Sequence, residues 1–203
     1  MPGTERFDQA AATWDQADRR VVLARDVTRA ITQQLPLSKE KSVLDFGCGT
    51  GLVTMELAPQ VGSISGADTS TGMLKALEEK AKAAGILVRL IPLDEAGTAA
   101  LGGPYHLIVS SMTLHHILDV PALFQHFARQ LRPGGRVALA DLDEEDGSFH
   151  EKGVHIHHRG FRRELVKAWL QEAGFQDIRL ETATTTQKDG KDYSVFLATA
   201  QMR

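Results

Sequence analysis

Short apolar runs alternate with longer amphipathic stretches along most of this 203-residue chain. Runs bounded by glycine, proline or charge are typical of buried strands, and they occur at residues 43–46, 63–68, 88–92, 106–111 and 136–141. Between them, apolar residues recur at the spacing of one helix face, as in residues 71–84. Two more runs, 175–182 and 193–200, flank a Lys-Asp-Gly-Lys turn and predict an antiparallel hairpin. The pattern predicts an α/β fold with five strand–helix units and a terminal hairpin.

Residues 5–35 predict two further helices before the first strand. Phe7, Ala11 and Trp14 fall on one helix face, and Pro36 ends the second helix. The total length suits a single compact domain, so we expect residues 1–203 to form one unit.

The most informative stretch is residues 42–54, SVLDFGCGTGLVT. A buried strand is followed by three glycines at alternate positions, Gly47, Gly49 and Gly51. Glycine has no Cβ and tolerates positive φ, so the backbone can turn sharply there and lie close to a ligand. A helix predicted to begin near Thr50 would direct free N–H groups towards this loop, which favours an anionic group.

The glycine spacing and an acidic neighbour argue against a dinucleotide ligand. In the dinucleotide pattern G-x-G-x-x-G the third glycine would fall at Leu52. Asp45, two positions before the first glycine, would repel a pyrophosphate but attract an ammonium group. A zwitterionic amino-acid tail has a carboxylate for the helix N–H groups and an ammonium group for Asp45. S-adenosylmethionine has such a tail.

The string VLDFGCGTG at 43–51 resembles motif I of the class I S-adenosylmethionine-dependent methyltransferases. Residues 114–141, LHHILDVPALFQHFARQLRPGGRVALAD, resemble the matching region of the small-molecule (quinone or type 11-like) group. The resemblance implies a Rossmann-like seven-stranded mixed sheet, with the last strand antiparallel and helices on both faces. It also implies that the N-terminal helices, within residues 1–36, cover the cofactor as a lid, the alternative being that Phe7 and Trp14 only anchor a helix on the domain. Two alternatives stay open: an NAD-dependent oxidoreductase, and a catalytically silent S-adenosylmethionine-binding or metal-binding regulator.

Several residues are expected to contact the cofactor, whose product form is S-adenosylhomocysteine. Asp68 ends the second strand beside the glycine loop, where its carboxylate can accept hydrogen bonds from ribose hydroxyls. Met73 is either a contact of the adenine face or a core residue, and the resemblance assigns Asp94 to the adenine amino group, with helix capping as the other role. The full set of expected contacts is Asp45, Phe46, Gly47, Cys48, Gly49, Gly51, Asp68, Thr69, Met73, Asp94, Glu95 and Ser110.

The residues after the fourth strand are expected to face the methyl acceptor. His115 and His116 are the first candidates for a general base, the alternative being that one of them caps or packs against the loop. An acceptor that is already nucleophilic needs no base. Nucleic-acid methyltransferases carry an Asn/Asp-Pro-Pro-aromatic box here, whereas residues 110–113 read Ser-Ser-Met-Thr. The hypothesis is a small-molecule acceptor, with no nucleic-acid partner.

Acids and histidines crowd residues 141–158, which raises the question of a metal site. The spacing is not that of a metal motif, and a solvated acidic loop explains the carboxylates, so no metal is predicted. Because it leaves the carboxyl edge of the sheet, the 142–160 segment is expected to lie over the substrate pocket.

Charge and cysteine content give a broad view of the environment. The net charge is −3, which is atypical of a protein dedicated to nucleic acid. Cys48 is the only cysteine, so an intramolecular disulfide is impossible. No apolar run is long enough to span a bilayer, and residues 1–20 are too charged for a secretory signal. A cytoplasmic protein is expected, while the oligomeric state is left open.

Overall fold

The computed structural model describes residues 4–94, 100–151 and 154–203. The helices are α1 (Thr4–Ala10), α2 (Asp18–Gln34), α3 (Leu52–Leu57), α4 (Thr71–Ala83), α5 (Val120–Gln130) and α6 (Arg163–Glu172). The strands are β1 (Ser42–Phe46), β2 (Ser63–Asp68), β3 (Arg89–Pro92), β4 (Tyr105–Ser111), β5 (Leu131–Leu142), β6 (Phe175–Lys188) and β7 (Lys191–Met202). No helix in these described ranges is long and apolar enough to cross a membrane.

The strands form one mixed sheet in the order β3-β2-β1-β4-β5-β7-β6. All neighbours are parallel from β3 to β5, whereas β7 runs antiparallel to both β5 and β6. The predicted seven-stranded mixed sheet with an antiparallel last strand is therefore confirmed. Strand order reverses between β1 and β4, which is where ligands bind in open sheets of this kind.

Two apolar clusters cover the two faces of the sheet, as the alternating pattern predicted. On one face Phe124 and Phe127 of α5 and Leu170 of α6 pack against Phe46 and its neighbours. On the other face residues of α2 and α3 pack against the opposite sides of the same strands. The helices after β1 and β4 thus lie on opposite faces, and the strand ends between them are left uncovered.

Local capping residues explain several helix boundaries. The Ser70 hydroxyl accepts a hydrogen bond from Met73 N, so α4 begins where predicted. The carboxylate of Asp119 accepts one from Ala122 N, with Pro121 in the first turn of α5. By contrast, α3 begins at Leu52 rather than near Thr50, because Gly51 precedes it in the left-handed conformation (φ +83°).

The terminal hairpin extends further than its apolar pattern predicted. Strands β6 and β7 continue through the polar residues up to the Asp189-Gly190 turn, and residues in that extension pair across the ladder. Backbone hydrogen bonds of a hairpin do not require apolar side chains, so the pattern identified only the part that packs on the core.

We predict that Phe127→Ala lowers the free energy of unfolding by about 3–5 kcal/mol. The Phe127 side chain is fully buried and its ring lies 5.1 Å from that of Phe46, so truncation leaves a cavity at the centre of one face. Urea unfolding measures the effect. Leu87→Ala, at a side chain 95% exposed, is the control and should change stability by less than about 0.5 kcal/mol. Equal effects of the two substitutions would contradict the assignment of this core.

Candidate functional site

A cavity of about 470 Å³ lies at the carboxyl ends of the central strands. Its wall is formed by the residues after β1, β2 and β4, by the N-terminal segment, and by part of the segment that follows β5. The volume falls within the range of about 300–1,000 Å³ that is usual for small-molecule and cofactor sites. Because residues after β1 and β4 form much of its wall, the cavity lies at the point where strand order reverses.

The glycine loop presents bare backbone to this cavity. Gly47, Cys48 and Gly49 line the wall, and Gly47 and Gly49 have positive φ values of +70° and +53°. An added Cβ at Gly49 would meet no atom within 4 Å, so the space beside it is open. An extended ligand can approach the main chain closely here, as the spacing predicted.

Most backbone N–H groups of the loop are already engaged. Gly47 N and Cys48 N donate to the carbonyl of Ala67, at 2.8 and 3.0 Å, and Gly51 N donates to Cys48 O at 2.9 Å. Gly49 N donates to the carboxylate of Asp68 at 2.8 Å. These four N–H groups are therefore already bonded within the protein, and the N–H groups expected to attract an anion are those at the start of α3, which follows the loop.

Gly51 has a packing role instead of a contact with the cavity. A Cβ on Gly51 would lie 2.3 Å from Cδ1 of Leu77 on α4, a distance that side chains do not tolerate. The third glycine of the loop thus permits α3 and α4 to approach. In the dinucleotide pattern the third glycine also serves helix packing, but at a different spacing.

Asp68 ties the glycine loop to the start of α4. Its two carboxylate oxygens accept hydrogen bonds from Gly49 N at 2.8 Å and Ser70 N at 2.9 Å. Burial raises the pKa of Asp68, while the backbone donors oppose that shift. A carboxylate has about four lone-pair sites, so two hydroxyl donors could still be accepted on the cavity side.

Asp45 is a buried carboxyl at the end of β1 and also lines the cavity. Burial raises the pKa of Asp45 to about 7, against the hydrogen bond of 2.6 Å that Thr54 Oγ1 donates to it. An ammonium group placed beside it would favour the ionised form. The residue is therefore suited to a cationic ligand group, as the sequence predicted.

The cavity brings together most of the predicted site residues. On its wall are Asp45, Phe46, Gly47, Cys48, Gly49, Asp68, Thr69, Met73, His115 and His116. Met73 is almost fully buried, so it serves the core as well as the wall.

Three other expected cofactor contacts, Gly51, Asp94 and Ser110, are not on the described wall of the cavity. Leu93, next to Asp94, does line it. The Ser110 side chain faces β1, where its hydroxyl donates to Phe46 O at 2.8 Å. Glu95 lies outside the described residues.

The N-terminal segment lies over the cavity and is anchored by two carboxylates that the sequence reading did not identify. Asp8 accepts hydrogen bonds from the Ser70 hydroxyl at 2.6 Å and from Gly72 N at 2.8 Å. Asp15 accepts one from Thr50 Oγ1 at 2.5 Å and pairs with Lys80 at 2.6 Å. These contacts hold the expected lid against the glycine loop and α4.

His115 forms a buried pair with Asp141 at the other end of the cavity. Nδ1 of His115 lies 2.7 Å from Oδ1 of Asp141, and both side chains are at most 3% exposed. Although burial alone would raise the pKa of Asp141, its interactions with His115 and the backbone donors hold that pKa below its usual value. An ionised carboxylate can only accept, so Nδ1 of His115 donates the proton in this hydrogen bond, and Nε2 is the ring nitrogen left to exchange a proton with another group.

Asp141, the partner of His115, was not among the residues that the sequence predicted for the site. It lies one residue before the end of β5, the strand beside β4, and backbone pairing places Ser111 opposite Ala140. The signal was available, because a carboxylate and a histidine at the carboxyl ends of neighbouring parallel strands meet at one edge of the sheet.

The rings of His116 and His150 both lie next to that of His115. The ring centroids of His116 and His150 are 4.2 and 4.6 Å from that of His115. Burial, and next the neighbouring His115, lower the pKa of His116 to about 3 and that of His150 to about 4. Both rings are therefore neutral at physiological pH.

The segment after β5 lines the end of the cavity that contains His115. Phe149, His150, Glu151, Val154 and His155 contribute to the cavity wall. Within residues 4–94, 100–151 and 154–203, no three His, Cys, Asp or Glu side chains are grouped so that they could hold a metal ion.

A family model described as a methyltransferase domain matches residues 16–180. The chain belongs to this methyltransferase domain family. Together with the fold, membership confirms the expected class I S-adenosylmethionine-dependent methyltransferase, with S-adenosylmethionine as the cofactor. It decides against the NAD-dependent alternative.

Curated relatives of this methyltransferase chain include proteins longer than it. An uncharacterized methyltransferase of Schizosaccharomyces pombe is 33% identical over 156 residues, which cover 68% of this chain and 55% of that protein. Phosphoethanolamine N-methyltransferase 1 of Triticum aestivum is 30% identical over 164 residues, covering 78% of this chain and 33% of that protein. The chain therefore spans about half the length of the first relative and a third of the second.

Solved methyltransferase structures share the fold at low sequence identity. An S-adenosylmethionine-dependent methyltransferase from Clostridium acetobutylicum superposes with a TM-score of 0.74 at 17% identity, covering 97% of this chain and 98% of that one. Phosphoethanolamine N-methyltransferase 2 of Haemonchus contortus, in complex with S-adenosyl-L-methionine, gives 0.71 at 18% identity, covering 88% and 52%. Such identities establish the architecture alone.

We predict that Gly49→Ala weakens S-adenosylhomocysteine binding at least about tenfold, because the added methyl occupies space beside the bare backbone. Gly85→Ala is the matched control, since Gly85 also has positive φ (+65°) and open space around it but does not line the cavity. Both substitutions should cost about 1–2 kcal/mol of stability, and only the first should affect binding. Calorimetric titration measures the affinity, and equal affinities in the two variants would contradict the site.

We predict that acidification destabilises the wild type relative to His116→Gln and His150→Gln. Below the unfolded-state pKa, the unfolded chain protonates these histidines while the folded chain keeps them neutral, so stability is lost as pH falls from about 6.5 towards 4. Each residue contributes at most about 1.4 kcal/mol per pH unit. Asp45, with its raised pKa, acts in the opposite sense, so the measured quantity is the difference between wild type and variant in urea unfolding at pH 7, 6 and 5. A difference independent of pH would contradict the neutral buried state.

Proposed function

We propose that this chain transfers a methyl group from S-adenosylmethionine to a small-molecule acceptor, with His115 as the general base. The observation that carries the proposal is the buried His115–Asp141 pair, because His115 lies on the wall of the same cavity as the glycine loop. One end of the cavity has the features of a cofactor site and the other has a group that can accept a proton.

The residues at the first end fit the cofactor. Open space beside the Gly49 backbone admits an extended amino-acid tail, and the buried Asp45 suits its ammonium group. Asp68 retains acceptor capacity for ribose hydroxyls, while Met73 and Leu93 offer apolar surface for a base. These residues would hold S-adenosylmethionine without rearrangement of the main chain.

When bound, S-adenosylmethionine supplies an electrophilic methyl carbon, whose bond to sulfur breaks with its electron pair as the bond to the acceptor forms. His115 accepts the proton of the acceptor atom at Nε2, since Nδ1 is already protonated and bonded to Asp141. Asp141 keeps the ring in this tautomer and stabilises the imidazolium that results. Its backbone donor Leu142 N, at 2.8 Å, holds the carboxylate in place.

His116 is less suited to the same role. Its Nδ1 donates to the carbonyl oxygen of His155 at 3.0 Å, so this nitrogen is bonded to a neutral acceptor and not to a carboxylate. With a pKa of about 3, it would retain a transferred proton poorly. We therefore assign His116 to the wall of the acceptor pocket, where Phe7 packs against its ring at 5.3 Å.

Two segments exclude water from the reacting groups. Phe7, on the N-terminal segment, closes the cavity over His116, and Phe149 packs against His150 with ring centroids 5.0 Å apart. Removing water strengthens the hydrogen bond between His115 and Asp141 and holds the acceptor close to the methyl carbon. Opening of the lid would be required for exchange of the cofactor.

The acceptor is a small molecule in this proposal, and no nucleic acid is involved. The enclosed cavity suits a small ligand, and a relative in wheat is named for phosphoethanolamine. Residues 110–113 lack the box that grips a flipped base. We propose a cytoplasmic location, because the single cysteine is buried and the chain cannot form an internal disulfide.

The test measures transfer of a labelled methyl group from S-adenosylmethionine to a panel of phenols, amines and quinone-like acceptors. Wild-type protein should methylate at least one of them. His115→Asn should lower the rate about 10²–10⁴-fold, because proton transfer is lost, while S-adenosylhomocysteine affinity stays within about threefold. Asp141→Asn should lower the rate for the same reason, since the ring loses its fixed tautomer.

The matched control is His116→Asn, which removes an adjacent histidine on the same cavity wall. It should reduce the rate far less than His115→Asn does. Equal losses in the two variants would contradict the assignment of His115. Tight binding of S-adenosylhomocysteine with no transfer to any acceptor would instead support a catalytically silent binding protein.

A further inference from the structure

The charges on the cavity wall are separated by sign. Asp45 and Asp68 lie at the cofactor end. At the acceptor end, Glu151 is the one described carboxylate on the wall and pairs with Arg6 at 2.9 Å, while Asp141 lies behind the wall, bonded to His115. The wall carries three further cations, Arg19, Arg20 and Lys188. This separation leaves a net positive charge around the acceptor.

Of these three cations, Arg20 is held in place by contacts with Trp14. Its guanidinium stacks on the ring of Trp14 at 3.7 Å and donates to Trp14 O at 3.2 Å. Burial, and next the charge of Arg19, lower the pKa of Arg20. Arg20 therefore anchors the N-terminal segment, and we do not assign it to a ligand.

Arg19 and Lys188 converge on one aromatic ring from different parts of the chain. Arg19, on α2, lies 5.1 Å from the centroid of Phe149, and the Lys188 ammonium, at the end of β6, lies 5.9 Å from it. Like charges held near one ring repel each other unless an anion is present. Phe149 thus separates two cations that both face the cavity.

Neither cation is neutralised by a buried carboxylate. Arg19 forms no ion pair with any residue in the described part of the chain. Lys188 is only 15% exposed, and the carboxylate nearest to it, Asp189, lies 3.9 Å away with its own side chain 85% exposed. The ammonium of Lys188 also donates to Phe149 O at 2.5 Å, which fixes its position.

His150 connects this cationic pair with the proposed base. It follows Phe149 in sequence, and its ring lies 4.6 Å from that of His115. Its Nε2 is buried and has no hydrogen-bond partner among the described residues. After burial and His115, the charges of Lys188 and Arg19 contribute to the lowered pKa of His150, so both cations act within the same pocket.

We propose that the methyl acceptor carries an anionic group, a carboxylate or a phosphate, which binds between Arg19 and Lys188 while the atom to be methylated lies against His115. This inference rests on the proposed function and specifies its substrate class. The anion neutralises the two cations, and His150 Nε2 is available for a hydrogen bond to the same ligand. Binding the acceptor at a second point would also hold its nucleophilic atom in place for transfer.

The test titrates the full chain, saturated with S-adenosylhomocysteine, with benzoate, phenyl phosphate and the neutral benzamide. At least one anion should bind about tenfold or more tightly than benzamide, because the amide cannot form an ion pair. The stronger of the two anions identifies the acidic group. Arg19→Gln and Lys188→Gln should each remove most of this preference and leave S-adenosylhomocysteine affinity within about twofold.

Arg25→Gln is the matched control, since Arg25 is exposed on the same helix as Arg19 and does not line the cavity. It should leave the preference for anions unchanged, and the thermal midpoints of all variants confirm that they fold. If benzamide binds as tightly as both anions, or if neither cavity variant changes the preference, the inference is overturned while the proposed function stands. Failure to bind S-adenosylhomocysteine would instead overturn the proposed function.

Discussion

The site depends on one topological constraint, the reversal of strand order between β1 and β4. Helix α3 follows β1 and packs on one face of the sheet, whereas α5 follows β4 and packs on the opposite face. The chain therefore leaves the ends of these two neighbouring strands in opposite directions. The space between them cannot be filled by either helix, which is why a cavity forms there. The glycine loop follows β1 and His115 follows β4, and this single reversal therefore brings the residues proposed for the cofactor and for the acceptor to the same cavity.

Asp68 and Asp141 have related structural roles at the two ends of this cavity. Asp68 bonds the glycine loop to the start of α4, while Asp141 bonds the turn after β4 to the end of β5. Each is buried and accepts from backbone N–H groups, and such donors offset the cost of burying a carboxylate. These hydrogen bonds fix the main chain at the two ends of the cavity.

The cover over the cavity is built from sequence-distant segments that meet only in the folded protein. Asp8 and Asp15 bond the N-terminal segment to α4 and the glycine loop, with Gly72 allowing the close approach of Asp8. From the other side, the segment after β5 contributes Phe149 and His150. The cationic pair proposed to bind the acceptor arises in the same way, since Arg19 and Lys188 are brought together by the cover.

The sequence by itself determined the elements and the cofactor end. Short apolar runs are typical of buried strands, and the positive φ that a glycine permits is a local property, so the succession of strands along the chain and the sharp turn at Gly47 and Gly49 followed from the residues nearby. Only the tertiary structure decided the acceptor end. The partnership of His115 with Asp141, the engagement of the loop N–H groups with Ala67, and the packing role of Gly51 against Leu77 join residues far apart in the chain. Such contacts depend on which strands become neighbours and on the angles at which helices pack, and a local pattern does not contain that information.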